Sequence, residues 1–327
     1  MNGKRWGSIT ISLISVTVIA AFLLLGTQEN ASRAQPGTLF PGDHERTLNH
    51  DDRARSYRLH LPPAYDGTTP LPLVLALHGG GGNPGNMARK TGFSDLADEK
   101  GFIVVYPAGT GRFANFLLTW NASHCCGYAL EHGVDDVGFF KQLLEELQRT
   151  LAIDPARVYV TGHSNGAMMA YRLGAELSKR IAAIGPMAGT IGGRASADAE
   201  RVTIPAPSQP VSLVAIHGFL DESVNYEGDH GARTLGTRED LSVAESIAFW
   251  VEQNGCDPRS RREEPNENVI RETYTGCLDD TEVVLYTALD GGHGWPGSDR
   301  GDRPSPSLAA TEVLWAFFSA HPATSSP

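Results

Sequence analysis

An α/β fold, built on a mostly parallel sheet with helices on both faces, is what this sequence predicts, and three observations carry that expectation. Leu71 to Leu77 and Phe102 to Tyr106 are near-continuous apolar runs, as expected of strands covered on both sides. Such runs alternate with segments of helical pattern through most of the chain, which favours parallel pairing. Glycine-rich turns follow the strands, at His78-Gly79-Gly80-Gly81-Gly82, Gly162-His163-Ser164-Asn165-Gly166, His217-Gly218 and Gly291-Gly292-His293-Gly294. In a parallel sheet these turns converge on the edge where ligands bind. Hydrophobic residues make up 41 % of the 327, enough for a large core, so residues 35–327 are expected to be one catalytic domain with its core over about 50–320.

Each element has its own local signal. Ser56 to Leu61 alternates and predicts a strand stopped by Pro62-Pro63, preceded by a flexible lead. Leu71 to Leu77 is the first buried strand. Residues from about Asn86 to Lys100 predict one helix that runs through Gly92. Phe102 to Tyr106 ends at Pro107 and Gly109. The connection from there to Gly133 exceeds the ~12–15 residues usual without internal structure, so it predicts local bracing or function. Asp135 or Asp136 caps a helix reaching about Leu151. Ile181 to Met187 predicts a strand, and the Gly-, Ala- and Pro-rich stretch 190–210 a surface loop. Val211 to Ile216 is a strand, 239–253 an amphipathic helix, Glu282 to Ala288 the last strand, and Leu308 to Ser319 a closing helix.

The stretch Val158 to Tyr171 organises the rest. It runs from a β-branched strand through Gly162-x-Ser164-x-Gly166 into a helix of Ala, Met and Leu. A sharp strand-to-helix turn holds its central residue strained with the side chain free. Ser164 would then lie at a helix N-terminus, where backbone N–H groups favour developing negative charge. A serine hydroxyl needs a base within reach, and a histidine needs an acceptor behind it to fix its tautomer. Asp221 follows a late strand and His293 the last one, in the chain order of α/β-hydrolase triads. Glu222 is the rival acid. The oxyanion formed on attack needs two backbone donors, expected from Asn165 and from Gly80 in the glycine run after the first buried strand. His78, His163 and His217 are expected to orient these loops, and Trp120 and Trp295 to stand near the pocket mouth.

Composition narrows the class further. The net charge is −11 with no Lys/Arg run, a poor match to nucleic acid or anionic membranes. Lys4 and Arg5 precede an uncharged stretch, most apolar over Val16 to Leu25 and closed by Ala31-Ser32-Arg33-Ala34. That pattern predicts a secretory signal over 1–34, with an uncleaved membrane anchor as the alternative. The remainder is expected outside the cytoplasm, where membrane contact would occur only through a retained anchor. Cysteine usage agrees: Cys256 and Cys277 flank a polar stretch and are expected to pair. Cys125 and Cys126 are adjacent, and sequence leaves them bridged to each other, reduced, or paired elsewhere. No metal or organic cofactor is expected, since His124 beside them has no second cluster of ligands. Asn121-Ala122-Ser123 matches a glycosylation sequon.

Five motifs in order, Leu77 to Gly82, Val134 to Phe139, Tyr159 to Tyr171, His217-Gly218-x-x-Asp221 and Gly291-Gly292-His293-Gly294-Trp295-Pro296-Gly297, resemble the polyhydroxybutyrate depolymerase/feruloyl esterase family over most of residues 50–320. The resemblance implies a secreted α/β-hydrolase-fold serine esterase, with Ser164 as nucleophile, His293 as base, Asp221 as acid, and Gly80 and Asn165 as oxyanion donors. Where that family has Gly-Thr-x-Asp, this chain has Gly218-Phe219-Leu220-Asp221. Polymer-attacking members often carry a separate binding domain, so soluble or oligomeric esters are the expected substrates, of hydroxyalkanoate or feruloyl type. A serine peptidase with the same triad and a non-catalytic binding protein of this fold are the alternatives.

Overall fold

The computed structural model describes residues 1–3, 39–113, 116–234 and 236–324. The leader or anchor expected over 1–34 lies outside them, apart from its first three residues. Thr38–Pro327 gather into one compact unit. No helix among the described residues is long and apolar enough to cross a membrane.

The unit opens with an antiparallel hairpin, β1 (Gly42–His50) and β2 (Arg53–Leu61). β1 stands where a flexible lead was expected. Its residues are all exposed or half-buried, so an edge strand formed by backbone pairing left no apolar signal to read. β3 (Leu71–Leu77) follows. The helix expected over Asn86 to Lys100 is two helices, α1 (Pro84–Thr91) and α2 (Phe93–Lys100), because Gly92 adopts φ 65° and terminates the first. β4 (Ile103–Pro107) leads into the long connection, which is braced by a short helix, α3 (Gly127–Glu131). α4 (Asp136–Thr150) is capped by Asp135, whose side chain accepts from the Gly138 N–H.

β5 (Ile153–His163) turns directly into α5 (Asn165–Glu176), and β6 (Ala183–Met187) follows. The surface loop expected over 190–210 instead contributes β7 (Gly192–Arg194) and β8 (Val202–Thr203). Next come β9 (Ser212–Gly218), β10 (Glu239–Asp240) and α6 (Val243–Gln253). β10 pairs with β7 in a small second sheet, which is why α6 begins at a Ser242 capping box and not at 239. β11 (Arg261–Asn266) and β12 (Val269–Tyr274) form a hairpin, closed at its base by the Cys256–Cys277 disulfide. β13 (Val283–Ala288) and α7 (Ala310–Ala320) complete the chain.

The main sheet has ten strands in the order β1-β2-β4-β3-β5-β6-β9-β13-β12-β11. Its middle, from β4 to β13, is parallel, and both flanks are antiparallel. Alternation along β3 shows how the sheet divides the interior. Leu73, Leu75 and Leu77 face a core shared with α4, α5 and α6, whereas Val74 and Ala76 face one shared with α1, α2 and α7. Helices therefore cover both faces. One charged pair lies inside: Arg55 donates to Asp136 at 2.7 Å, both fully buried, and stacks over Phe139 at 3.9 Å. Asp136 also accepts the Asn121 N–H at 2.8 Å.

Candidate active site

Parallel register brings the loops together. Leu77 pairs with Gly162 across β3 and β5, His163 with Met187 across β5 and β6, and Gly218 with Ala288 across β9 and β13. The strands thus release their turns side by side. Ser164 stands at the bend with φ 57° and ψ −123°, a conformation a non-glycine residue holds only when its surroundings impose it. Those surroundings are tight: a Cβ on Gly162 would overlap the Gly166 carbonyl, and one on Gly166 the Leu77 carbonyl. The Ser164 N–H donates to Met187 at 2.9 Å.

His293 Nδ1 donates to Asp221 Oδ2 at 2.7 Å. The carboxylate is fully buried, accepts the Ser223 and Val224 N–H groups on Oδ1, and has His217 Nε2 at 3.4 Å. Burial alone would raise its pKa, but hydrogen bonds from His217 and His293 outweigh it and hold the carboxyl far below the usual carboxylate range. Glu222 is exposed and pairs with Arg233 at 3.0 Å, so it does not stand behind His293. With Nδ1–H committed to Asp221, the free Nε2 of His293 is a proton acceptor.

Ser164 and His293 line one cavity of about 330 Å³ together with Gly79, Gly80 and His163. Among the described residues the Gly80 N–H has no backbone acceptor, since the loop's internal bonds run from Gly81 to Leu118 and from Gly82 to Gly79. The Asn165 N–H is at the first turn of α5, where no intrahelical acceptor exists.

Two other loop histidines, His78 and His163, are fixed as neutral rings. His78 Nδ1–H donates to the Gly79 carbonyl at 2.8 Å while Nε2 accepts the Gly109 N–H at 3.0 Å; burial pushes its pKa down to about 4. His163 Nε2–H donates to the His293 carbonyl at 2.6 Å, and Nδ1 accepts from Lys90 at 3.2 Å; burial again, aided by Lys90, lowers it well below the usual histidine value. His217 donates to the Val224 carbonyl at 2.8 Å.

Trp120 and Trp295 do not stand at the pocket mouth. Both are essentially fully buried, because each indole N–H has an internal acceptor. Trp120 donates to the His78 carbonyl at 2.9 Å and Trp295 to Thr311 Oγ1 at 3.1 Å. They brace the site from beneath. Cys125 and Cys126 are bridged to each other, and the Arg238 guanidinium lies 3.4 Å from both sulfurs. His124 pairs with Asp240, and the Asn121 side-chain amide donates to the Val134 carbonyl at 3.0 Å. Sequence reading missed Lys90, which nothing in its segment distinguishes from an ordinary lysine in a last helical turn, and the Asn165 side chain, whose Oδ1 and Nδ2 both bond the Trp120 backbone.

A family model described as "Esterase PHB depolymerase" matches residues 55–227. This chain belongs to that family, and it is an esterase. "Putative esterase NocK" from Nocardia uniformis subsp. tsuyamanensis is 31 % identical to the esterase over 268 residues, 77 % of this chain and 74 % of the relative. "Feruloyl esterase C" of Emericella nidulans is 25 % identical over 273 residues, 81 % of this chain and 84 % of the relative. Among solved structures, an acetyl xylan esterase from Aspergillus awamori superposes with a TM-score of 0.55 at 15 % identity, covering 85 % of this chain and 99 % of its own. Its fold is the α/β-hydrolase fold, and the esterase shares it.

Proposed function

We propose that the esterase works through an acyl-enzyme on Ser164, acting on hydroxyalkanoate-oligomer or feruloyl-type esters outside the cytoplasm. The observation that carries this is one arrangement: Ser164 at a strained strand-to-helix bend, sharing a cavity with a histidine whose far nitrogen is held by a buried carboxylate. Ser164 Oγ attacks the ester carbonyl as His293 Nε2 takes its proton, which requires the two atoms to close to hydrogen-bond distance when substrate binds. The carbonyl oxygen gains charge and is received by the N–H groups of Asn165 and Gly80. His293 returns the proton to the leaving alcohol. Water, deprotonated by the same nitrogen, then releases the acid and regenerates Ser164. Asp221 stays ionised throughout and stabilises the imidazolium. Export through residues 1–34 is supported by the Cys256–Cys277 disulfide.

The test is hydrolysis of short-chain nitrophenyl esters, methyl ferulate and 3-hydroxybutyrate oligomers by the full chain and by Ser164→Ala. Ester turnover that disappears in the variant is the expected result. Turnover that survives it would sink the Ser164 mechanism. Absence of turnover on every ester would leave amide cleavage or binding as the remaining readings.

A further inference from the structure

The cavity holding Ser164 and His293 is basic in an acidic protein. The chain carries 38 Asp and Glu against 27 Lys and Arg, yet this lining contains Arg89, Lys90 and Arg300 and no carboxylate. Lys90 is half-buried, and burial lowers its pKa. Its hydrogen-bond partner among the described residues is a neutral one, His163 Nδ1 at 3.2 Å. An ammonium withdrawn from water without a counter-ion is costly, so the site lacks the negative charge that would balance it. Arg89 donates to Asn86 Oδ1, and among the described residues most of its five N–H donors have no other partner. Arg300 reaches the same cavity from the loop beyond His293, and its own carboxylate, Asp299, is a sequence neighbour at 3.4 Å with both groups exposed.

We propose that Arg89, Lys90 and Arg300 form an anion subsite beside Ser164, and that the esterase takes esters bearing a free carboxylate. The inference rests on the Ser164 reading above. The helix dipole explains cations in the last turn of α1, but not Arg300, which comes from another loop and converges on the same cavity. A guanidinium recognises a carboxylate by two parallel N–H bonds, and the flanking ammonium adds charge without demanding geometry. The shared ligand chemistry is a carboxylate, carried either on the acyl side, as in a monoester of a dicarboxylic acid, or on the alcohol side, as in an ester of a hydroxy acid.

Two matched pairs of esters separate these sources. Monoethyl glutarate against diethyl glutarate places the charge on the acyl side; 4-acetoxybenzoate against its methyl ester places it on the alcohol side. With the full chain, kcat/KM for the anionic member of at least one pair is expected to exceed the neutral member by about tenfold, which corresponds to about 1.4 kcal/mol. That ratio is expected to fall toward one in Arg89→Gln/Arg300→Gln and in Lys90→Met, and to shrink near 1 M salt, where the screening length is about 3 Å. Ratios at or below one in both pairs overturn the subsite. So does a preference that survives both variants. A fall of both members together, with the ratio kept, overturns it too, because the cations would then stabilise the oxyanion of any ester. The neutral members keep the two readings apart: Ser164-dependent turnover of neutral esters without anionic preference sinks the subsite alone, whereas no turnover of any member, together with none of the nitrophenyl, ferulate and hydroxybutyrate esters above, sinks the acyl-enzyme reading and the subsite with it.

Discussion

The side chain of Asn165 and the backbone of Trp120 are joined by two reciprocal hydrogen bonds. Oδ1 accepts the Trp120 N–H at 2.7 Å, and Nδ2 donates to the Trp120 carbonyl at 2.9 Å. Both residues are buried. Trp120 in turn donates its indole N–H to the His78 carbonyl and packs on the His78 ring at 4.9 Å between centroids. The residue after Ser164 therefore ties the start of α5 to the long connection, and through Trp120 to the loop carrying Gly80. The two proposed oxyanion donors are held in register by one asparagine.

Asn165→Ala keeps the backbone N–H proposed as a donor but strands the Trp120 N–H, whereas the Trp120 carbonyl keeps the Cys126 N–H at 3.1 Å. An unsatisfied buried group costs about 1–3 kcal/mol, so a loss of that size is expected from urea denaturation, with a lower kcat on any ester substrate. A change under about 0.5 kcal/mol, the scale of ordinary surface substitutions, would mean the clamp does not contribute. Asn165→Asp separates the two bonds, since it keeps the acceptor and loses the donor.

Much of this site was legible in the sequence because its signals are local. Ser164 is singled out by two glycines whose missing Cβ atoms the bend requires, and Asp221 and His293, the proposed acid and base, by their places after late strands. The buried strands of the parallel block announced themselves by apolar runs. What escaped lacked such a signal. β1 and β11 are edge strands with polar residues, held by backbone pairing that leaves no apolar pattern. The break at Gly92 was visible as a residue but not as a φ of 65°. Trp120 and Trp295, expected near the pocket mouth, are buried, and only three-dimensional partners, the His78 carbonyl and Thr311, explain that. Lys90 meets His163 across 73 residues of chain, a contact that no periodicity encodes.

Asp221→Asn tests the orientation of His293. The amide keeps the size but can offer a donor where Nδ1–H needs an acceptor, which favours the wrong tautomer. A drop of about 10⁴ in kcat is expected, as in other Ser-His-Asp sites, with KM changed far less. Among the described residues Asp221 is the hydrogen-bond partner of His293 Nδ1. A drop below about tenfold in single-turnover kinetics would sink the assigned role of Asp221.

Acid sensitivity follows from the buried histidines. His78 is neutral in the fold, and burial holds its pKa at about 4, against about 6.5 in an unfolded chain. Between those values the unfolded state binds more protons, so stability rises with pH across the window and is lost as pH falls through it. The shift corresponds to about 3 kcal/mol when fully expressed. His163, also lowered by burial, acts in the same direction. Asp221, with its folded pKa depressed, adds stability above the ordinary carboxylate range that is lost at still lower pH. Urea midpoints measured from pH 7 down to 4 are expected to fall steadily. A flat profile over that interval would contradict neutral burial of His78 and His163.

The Cys256–Cys277 bridge has a separable role. It spans 21 residues and closes the base of the β11–β12 hairpin, in which β11 is exposed along its whole length. Such a hairpin has little apolar burial of its own, so the covalent link carries much of its stability by restricting the unfolded chain. A loop of this size contributes about 3 kcal/mol. A reducing agent cannot isolate the effect, since it also opens the Cys125–Cys126 bridge near Asn165. The double variant Cys256→Ser/Cys277→Ser can, because it leaves that second bridge intact. It is expected to lose about 3 kcal/mol in urea denaturation while keeping kcat, since neither cysteine lines the cavity of Ser164. Loss of turnover with little loss of stability would instead couple the hairpin to the site through β13, the strand it pairs with and the one that delivers His293.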